Sequence, residues 1–213
     1  MKFIKNYKEL LLETKVINFM NPTDNFVVMI GGPGSGKDFI LDNIINLRNY
    51  KEFNVDNFRV SMAKKWWGEN WKEVISTDQG YEEMLRQTHK SADPRNRTMK
   101  MLRHFLRTDR NHLGNIVYNG GAQVDVIKVI HELAKKAGYE TTIVYVETDE
   151  KTALERNRKR DRSLPDDMVI DYRDRVNSGK PELMPVFDNV WIVHNNEHLD
   201  IKQRPHDRIE KVK

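Results

Sequence analysis

The chain has 213 residues, 38% hydrophobic and 32% charged, with 36 basic and 32 acidic side chains, a formal net charge of +4 and no cysteine. That length suits one domain with a sizeable core and falls short of two, and the missing cysteines exclude disulfides, thiolate metal sites and cysteine nucleophiles. A charge so close to balance does not by itself point to nucleic acid. No apolar run approaches the roughly 20 residues that span a bilayer, and the opening MKFIKNYKELLLETK is too charged for a signal peptide, so a cytoplasmic protein is expected.

Ile4, Tyr7, Leu10, Leu11, Val16, Ile17 and Phe19 recur at helical spacing until Asn21-Pro22-Thr23-Asp24-Asn25 breaks the pattern, so residues 1–25 read as an outer helix and a linker. Phe26-Val27-Val28-Met29-Ile30 is a short continuous apolar run, the form of a strand buried on both faces of a parallel sheet. After a glycine-rich loop the period changes, and from Phe39 on, Ile40, Leu41, Ile44, Ile45 and Leu47 form one helical stripe. A short strand is expected over 52–56. Residues 61–114 are polar but helically patterned, as in Tyr81, Met84, Leu85 and Met99, Leu102, Leu106. They read as a helical insertion, since a structureless loop of that length is unusual. The alternation then resumes, with strands over 115–119, 141–146 and 190–193, helices over 124–137 and 151–160, and a stop at Gly138. Such repetition implies right-handed crossovers and an α/β fold. Its five-stranded parallel sheet is flanked by helices, its core comes from residues 26–60 and 115–194, and a polar tail over 195–213 is loosely held.

Gly31-Gly32-Pro33-Gly34-Ser35-Gly36-Lys37-Asp38 fits the spacing G-x-x-x-x-G-K and sits where that motif belongs, between a buried strand and a helix. Glycines let successive backbone N–H groups turn inward around phosphate oxygens, the helix N-terminus adds partial positive charge, and Lys37 reaches the β and γ phosphates of a nucleoside triphosphate. An ordinary glycine turn would need none of that context. Two residues depart from the usual metal shell: Asp38 stands where a Ser or Thr hydroxyl binds Mg²⁺, and Asn119 ends the third strand where a carboxylate is common. The pair is expected to compensate, one carboxylate added near the ion and one removed. The alternative is nucleotide binding with impaired catalysis.

Asp56, within Asn54-Val55-Asp56-Asn57-Phe58-Arg59, lies at a strand's carboxyl end, the edge where open α/β sheets bind ligands. It is suited to take an acceptor hydroxyl's proton, and Arg59, three residues on, to hold an acceptor phosphate bidentately. The bland alternative is a helix N-cap Asp with a solvent Arg. Arg156 and Arg160, one turn apart at the end of a helix, suit a clamp on triphosphate oxygens. Leu164-Pro165-Asp166-Asp167 then starts a new helix with proline in its first turn, as expected of a lid. In isolation the same run would be a solvated face.

Together these segments resemble the kinase domain of bacteriophage polynucleotide 5′-hydroxyl kinases and, more distantly, zeta-toxin kinases, over about residues 26–193. The loop GGPGSGK is shared widely, whereas VDNFR and RNRKRDRSLPDDMVIDYR are more specific to that group. The resemblance implies Asp56 as catalytic base, Arg59 as acceptor-phosphate ligand, Lys37 as the phosphate-loop lysine and Arg156 with Arg160 as lid arginines, with ATP and Mg²⁺ taking part. Asp38, Asn119 and the long insertion depart from the family pattern. In that insertion Lys64, Lys65 and Trp67, and then Arg97 and Arg103, mix cations with rings, which suits a nucleic-acid groove, DNA ahead of RNA. Tryptophans that pack the insertion onto the core, with cations facing water, are the alternative. The expected reaction is ATP-dependent phosphoryl transfer to a hydroxyl of nucleic acid, at a 5′ end or on a hydroxymethyl group of a modified base. Its rivals are a nucleotide or small-molecule kinase and a nucleotide-binding module without polymer turnover. The histidines lack a compact metal-ligand spacing.

Overall fold

Every residue from 25 to 30 is buried, which puts that segment in the middle of a sheet covered on both faces. The computed structural model describes residues 17–19, 24–91, 94–108, 114–121, 123–160, 163–197 and 207–213, without the side chains of 58, 78, 85, 88–91, 94–97 and 108. In chain order the elements begin β1 (Ile17–Asn18), β2 (Asn25–Ile30), α1 (Lys37–Asn43), β3 (Ile45–Asn46) and β4 (Tyr50–Asn54). Next come α2 (Val55–Trp67), a 3-10 turn at Gly68–Asn70, α3 (Trp71–Ile75), α4 (Asp78–Ser91) and α5 (Pro94–Thr108). The chain continues with β5 (Asn115–Asn119), α6 (Val124–Lys136), β6 (Glu140–Glu147), α7 (Glu150–Arg158), α8 (Asp166–Leu183), β7 (Asn189–His194) and β8 (Ile209–Lys211).

The main sheet has the order β4-β5-β2-β6-β7-β8. Strand β2 pairs in parallel with β5 on one side and β6 on the other, so strand order reverses at its carboxyl end, where α/β sheets open a ligand crevice. Successive side chains go to opposite layers. Phe26, Val28 and Ile30 join Leu102, Ile127 and Phe187 on one face, while Val27 and Met29 join Ile40, Leu41 and Ile44 on the other. A smaller cluster of Ala63, Ile75, Tyr81 and Met84 has Trp66, Trp67 and Trp71 packed on it together with Leu164 and Met168, and so ties α2–α4 to the start of α8. At the amino edge, Asn115 Oδ1 accepts from the Asn25 backbone N–H at 3.1 Å and its side-chain amide at 2.9 Å, fixing β2 against β5.

Several expectations change. The sheet has six strands instead of five, because β8 pairs antiparallel with β7, Val193 opposite Ile209, and part of the supposedly loose tail closes the edge. The helical stripe from Phe39 stops at Asn43, and Ile45–Asn46 pairs in parallel with Ile17–Asn18. Ile44, Ile45 and Leu47 are buried in the same layer as α1, which is why they match a helical period although the chain has left the helix. Of the helix expected over 4–20, Ile17 and Asn18 are strand, and residues 1–16 lie outside the described residues. Strand β4 ends at Asn54, so Asp56 belongs to the first turn of α2. Among the described residues no helix is long and apolar enough to cross a membrane.

Candidate active site

The loop after β2 turns into α1 through Gly36, whose φ of 83° is the left-handed region that favours glycine. Gly34 has φ 77°, and a Cβ there would lie 2.4 Å from the Ala153 carbonyl oxygen, so only glycine lets the loop pass α7. The Ser35 carbonyl accepts from Asn195 Nδ2 at 2.6 Å and Thr148 Oγ1 at 3.2 Å, which anchors the loop to the ends of β6 and β7. Asn195 is fully buried, a role missed at the boundary of a tail expected to be loose. Lys37 Nζ donates to the Gly31 carbonyl at 2.7 Å and, more weakly, to that of Gly32 at 3.5 Å. Burial pushes the Lys37 amine below its ordinary pKa; Asp56 and Asp38 oppose that shift, and Arg160 adds to it. Residues of three separate segments therefore share one electrostatic neighbourhood. Gly31, Gly32, Pro33 and Gly34 line the same cleft, of about 420 Å³.

Asp38 and Asn119 meet directly: the Asn119 amide donates to Asp38 Oδ1 at 3.0 Å and to Glu52 Oε1 at 3.1 Å. Glu52 was not among the expected residues. It lies two positions before Asn54 on β4, on the same face, and Asn54 is in register with Asn119. The amide nitrogen of Asn119 thus faces two carboxylates. As placed, Asn119 spaces two acidic groups with its amide nitrogen, and the group it could offer a metal is its Oδ1. Among the described residues no cluster of three His, Cys, Asp or Glu side chains is arranged to hold a metal. Asp38 and Glu52 still fit Mg²⁺, which takes one or two carboxylates and completes its octahedron with water and substrate phosphates.

Asn54 caps α2, its Oδ1 accepting from the Asp56 backbone N–H at 2.9 Å. That removes the capping alternative for Asp56, whose side chain is 56% exposed and lines the cleft. Arg59 Nη1 donates to Asp56 Oδ1 at 3.0 Å, and the Arg59 side chain is only 11% exposed. Burial opposes its charge, but Asp56, with Tyr81 and Tyr172 nearby, outweighs that and holds the guanidinium above its ordinary pKa. Its Nε is buried without a hydrogen-bond partner among the described residues, a costly state that an arriving anion would relieve.

Within the arginine run, Asn157 is fully buried. Its amide donates to the Leu164 carbonyl at 2.6 Å and its Oδ1 accepts from the Leu164 N–H at 3.0 Å, joining the end of α7 to the start of α8. Charged neighbours hide that role in the sequence. Arg156 donates from Nη1 to the Asn195 carbonyl and from Nη2 to that of Asn196, both at 2.7 Å. Two of its donors brace the loop after β7, and Arg156 also lines the cleft with Lys37 and Arg160, where the phosphate clamp is expected of it. Arg160 lies beyond the end of α7 and lines the cleft near Lys37. Pro165 is the N-cap residue of α8, just ahead of the first turn.

The residues expected to meet nucleic acid are scattered. Trp67 packs in the α2–α4 cluster, edge to face with Trp66 at 5.7 Å, so packing takes the place of base stacking there. Lys64 lies over the Trp71 ring and Lys65 is exposed. Arg103 lines a separate groove between α5 and α6. The Arg97 side chain lies outside the described residues.

A family model for an AAA domain matches residues 26–177. No curated protein matches the chain in sequence. In fold it is similar to a chain of the AvrRxo1-ORF1:AvrRxo1-ORF2 complex solved with sulphate ions, at TM-score 0.60 and 17% identity over 82% of this chain and 56% of that one. A chain of the same complex solved with ATP gives TM-score 0.59 and 17% identity over 89% and 58%. A gluconokinase from Sinorhizobium meliloti 1021 gives TM-score 0.49 and 12% identity over 85% and 89%. This chain spans little more than half the length of the first two structures.

Proposed function

The chain belongs to the AAA domain family, and we propose that within it this protein is an ATP- and Mg²⁺-dependent kinase. Its acceptor is a hydroxyl of nucleic acid, at a 5′ end or on a hydroxymethyl group of a modified base. The observation that carries this reading is Arg59: a buried guanidinium with an unpaired Nε, paired on its other side to Asp56, in the cleft that Lys37 shares. Such a donor suits an acceptor hydroxyl that has a phosphate close by.

In the proposed reaction the acceptor oxygen attacks the γ phosphorus, the bond from that phosphorus to the β–γ bridging oxygen breaks, ADP leaves, and the hydroxyl proton passes to the Asp56 carboxylate. The loop's backbone N–H groups and Lys37 hold the triphosphate, while Arg160 offsets charge on the transferring group. Mg²⁺ held by Asp38 and Glu52 would screen the β and γ oxygens. In this reading the start of α8, tied to α7 through Asn157 and packed on the Trp-backed cluster, would act as the lid that shields the acceptor end from water.

A mononucleotide or small-molecule acceptor is the second reading. What favours it is the apolar lining that Tyr81, Met84 and Leu164 give the cleft, with Leu164 and Met168 packed against the cluster that holds Tyr81 and Met84. Incubation with γ-labelled ATP and Mg²⁺ separates the readings, offering a 5′-hydroxyl oligonucleotide, hydroxymethylated DNA and a nucleotide panel. Label in a polymer, cut by about 10²–10⁴ in Asp56→Asn, supports the proposal. Label in mononucleotides alone selects the second reading, and no Asp56-dependent transfer to any acceptor overturns both.

A further inference from the structure

Helix α5 carries two stripes. Thr98, Leu102 and Leu106 are buried, with Met99 and Phe105 packed beside the core. Lys100, Arg103, His104 and Arg107 recur at helical spacing on the exposed side. Between that side and α6 lies an open groove of about 730 Å³, with Met99, Val126 and Val129 as its apolar surface and Asp125 as its acidic group.

Several other surface cations are held in ion pairs. Arg86 pairs with Glu83, Lys128 with Glu182, Lys135 with Asp188, Arg158 with Asp166 and Arg175 with Asp171. Among the described residues no carboxylate pairs with Lys100, Arg103 or Arg107. Their charge is available to a partner, and at 1.5 Å per residue they extend about 10 Å along the helix. Val126 lines both this groove and the active-site cleft, so the two adjoin at that side chain.

Resting on the reading of a nucleic-acid acceptor, we propose that the groove carries the strand that trails from the reacting hydroxyl. The occupant is single-stranded nucleic acid, its phosphates on Lys100, Arg103 and Arg107 and its bases against Met99, Val126 and Val129. A single strand matches both surfaces at once, because its bases are free to cover apolar side chains while its phosphates meet the cations. A duplex offers the phosphates without the base faces. An acidic peptide offers charge without flat rings.

The test is fluorescence anisotropy with a labelled 5′-hydroxyl single-stranded dodecanucleotide, alongside phosphate transfer to the same strand and to a dinucleotide. Arg103→Glu/Arg107→Glu should weaken binding at least about tenfold at moderate salt, and the wild type's KM advantage for the longer strand over the dinucleotide should collapse. With three phosphate contacts the slope of log K against log salt should be about −2, rising by about 1.4 in Arg103→Ala/Arg107→Ala. Asp125→Asn should tighten binding. Equal affinity of wild type and the charge-reversed protein overturns the groove whatever happens to transfer, as does better competition by a duplex or polyglutamate than by the unlabelled strand. A strand that binds in a groove-dependent way but takes no phosphate keeps the groove and overturns the acceptor reading.

Discussion

The phosphate loop and the outer wall of α5 both gather positive charge, and they hold it in opposite ways. At the loop the polar groups are tied into the fold: Lys37 to the Gly31 carbonyl, the Ser35 carbonyl to Asn195 and Thr148, Arg156 to two carbonyls after β7. On α5, Lys100, Arg103 and Arg107 have no carboxylate partner among the described residues. A small polyanion with one fixed shape rewards a rigid cradle, whereas a long flexible one rewards charge that can follow it. The loop should therefore fail when its geometry changes and the α5 wall when its charge changes.

The largest effect is expected at Gly34. Alanine there takes on a left-handed φ of 77° and puts Cβ 2.4 Å from the Ala153 carbonyl, so the loop has to move. Calorimetric titration should show ATP affinity lower by about a hundredfold, with the circular dichroism of the fold unchanged. Tight ATP binding by Gly34→Ala would remove the rigid half of the comparison. Next in size is the metal-side pair. Asp38→Ser should raise the Mg²⁺ concentration needed for half-maximal transfer by about 10- to 100-fold, and adding Asn119→Asp should recover part of it. The recovery is expected because the new carboxylate stands where the Asn119 amide now contacts both position 38 and Glu52. No recovery in the double variant would mean that the two departures from the motif do not compensate.

Legibility in the sequence followed the range of the contacts. The loop from Gly31 to Lys37 and the Asp56–Arg59 spacing are local, and residues of both line one cleft. Glu52 reaches Asn119 across 67 residues and Asn195 reaches Ser35 across 160, distances that no periodicity reports. Strand β8 is three residues in a polar tail, and its pairing depends on β7 offering an open edge. Arg156 and Asn157 lie in a run read for its charge, while their structural work is hydrogen bonding to backbone. Trp67 reads equally well as a stacking ring or a packing one until α3 and α4 are in place around it.

A smaller effect tests how tightly the loop's charge is held. Burial, the largest influence on Lys37, lowers its pKa below the ordinary 10.5, so the amine loses its proton, and with it the attraction for phosphate, at a lower pH than a surface lysine. ATP affinity measured against rising pH should begin to fall below 10.5. In Lys37→Arg, weaker overall, that alkaline fall should be absent, because a guanidinium stays charged. An unchanged alkaline fall in Lys37→Arg would assign it to another group.

The smallest effect separates the stability of the groove from its charge. Helix α6, one wall of the groove, is fastened at its far end by Asp188, which accepts from Lys135 Nζ at 2.9 Å and from the Thr141 N–H and hydroxyl at 2.8 Å each. Burial alone would raise the Asp188 pKa, but these bonds outweigh it and hold the carboxyl below its ordinary 3.8. A depressed carboxylate stabilises the fold above the unfolded value and loses that contribution as pH falls through the folded one. With the side chain 36% exposed, Asp188→Ala should cost about 1 kcal/mol, a fall in Tm of about 2–4 °C at neutral pH that shrinks below pH 3.8. Its affinity for the single strand should change far less than that of Arg103→Glu/Arg107→Glu, since no charge in the groove is altered. An Asp188→Ala protein that unfolds little but loses the strand as completely would show that the α5 wall depends on shape after all, and the contrast with the phosphate loop would no longer hold.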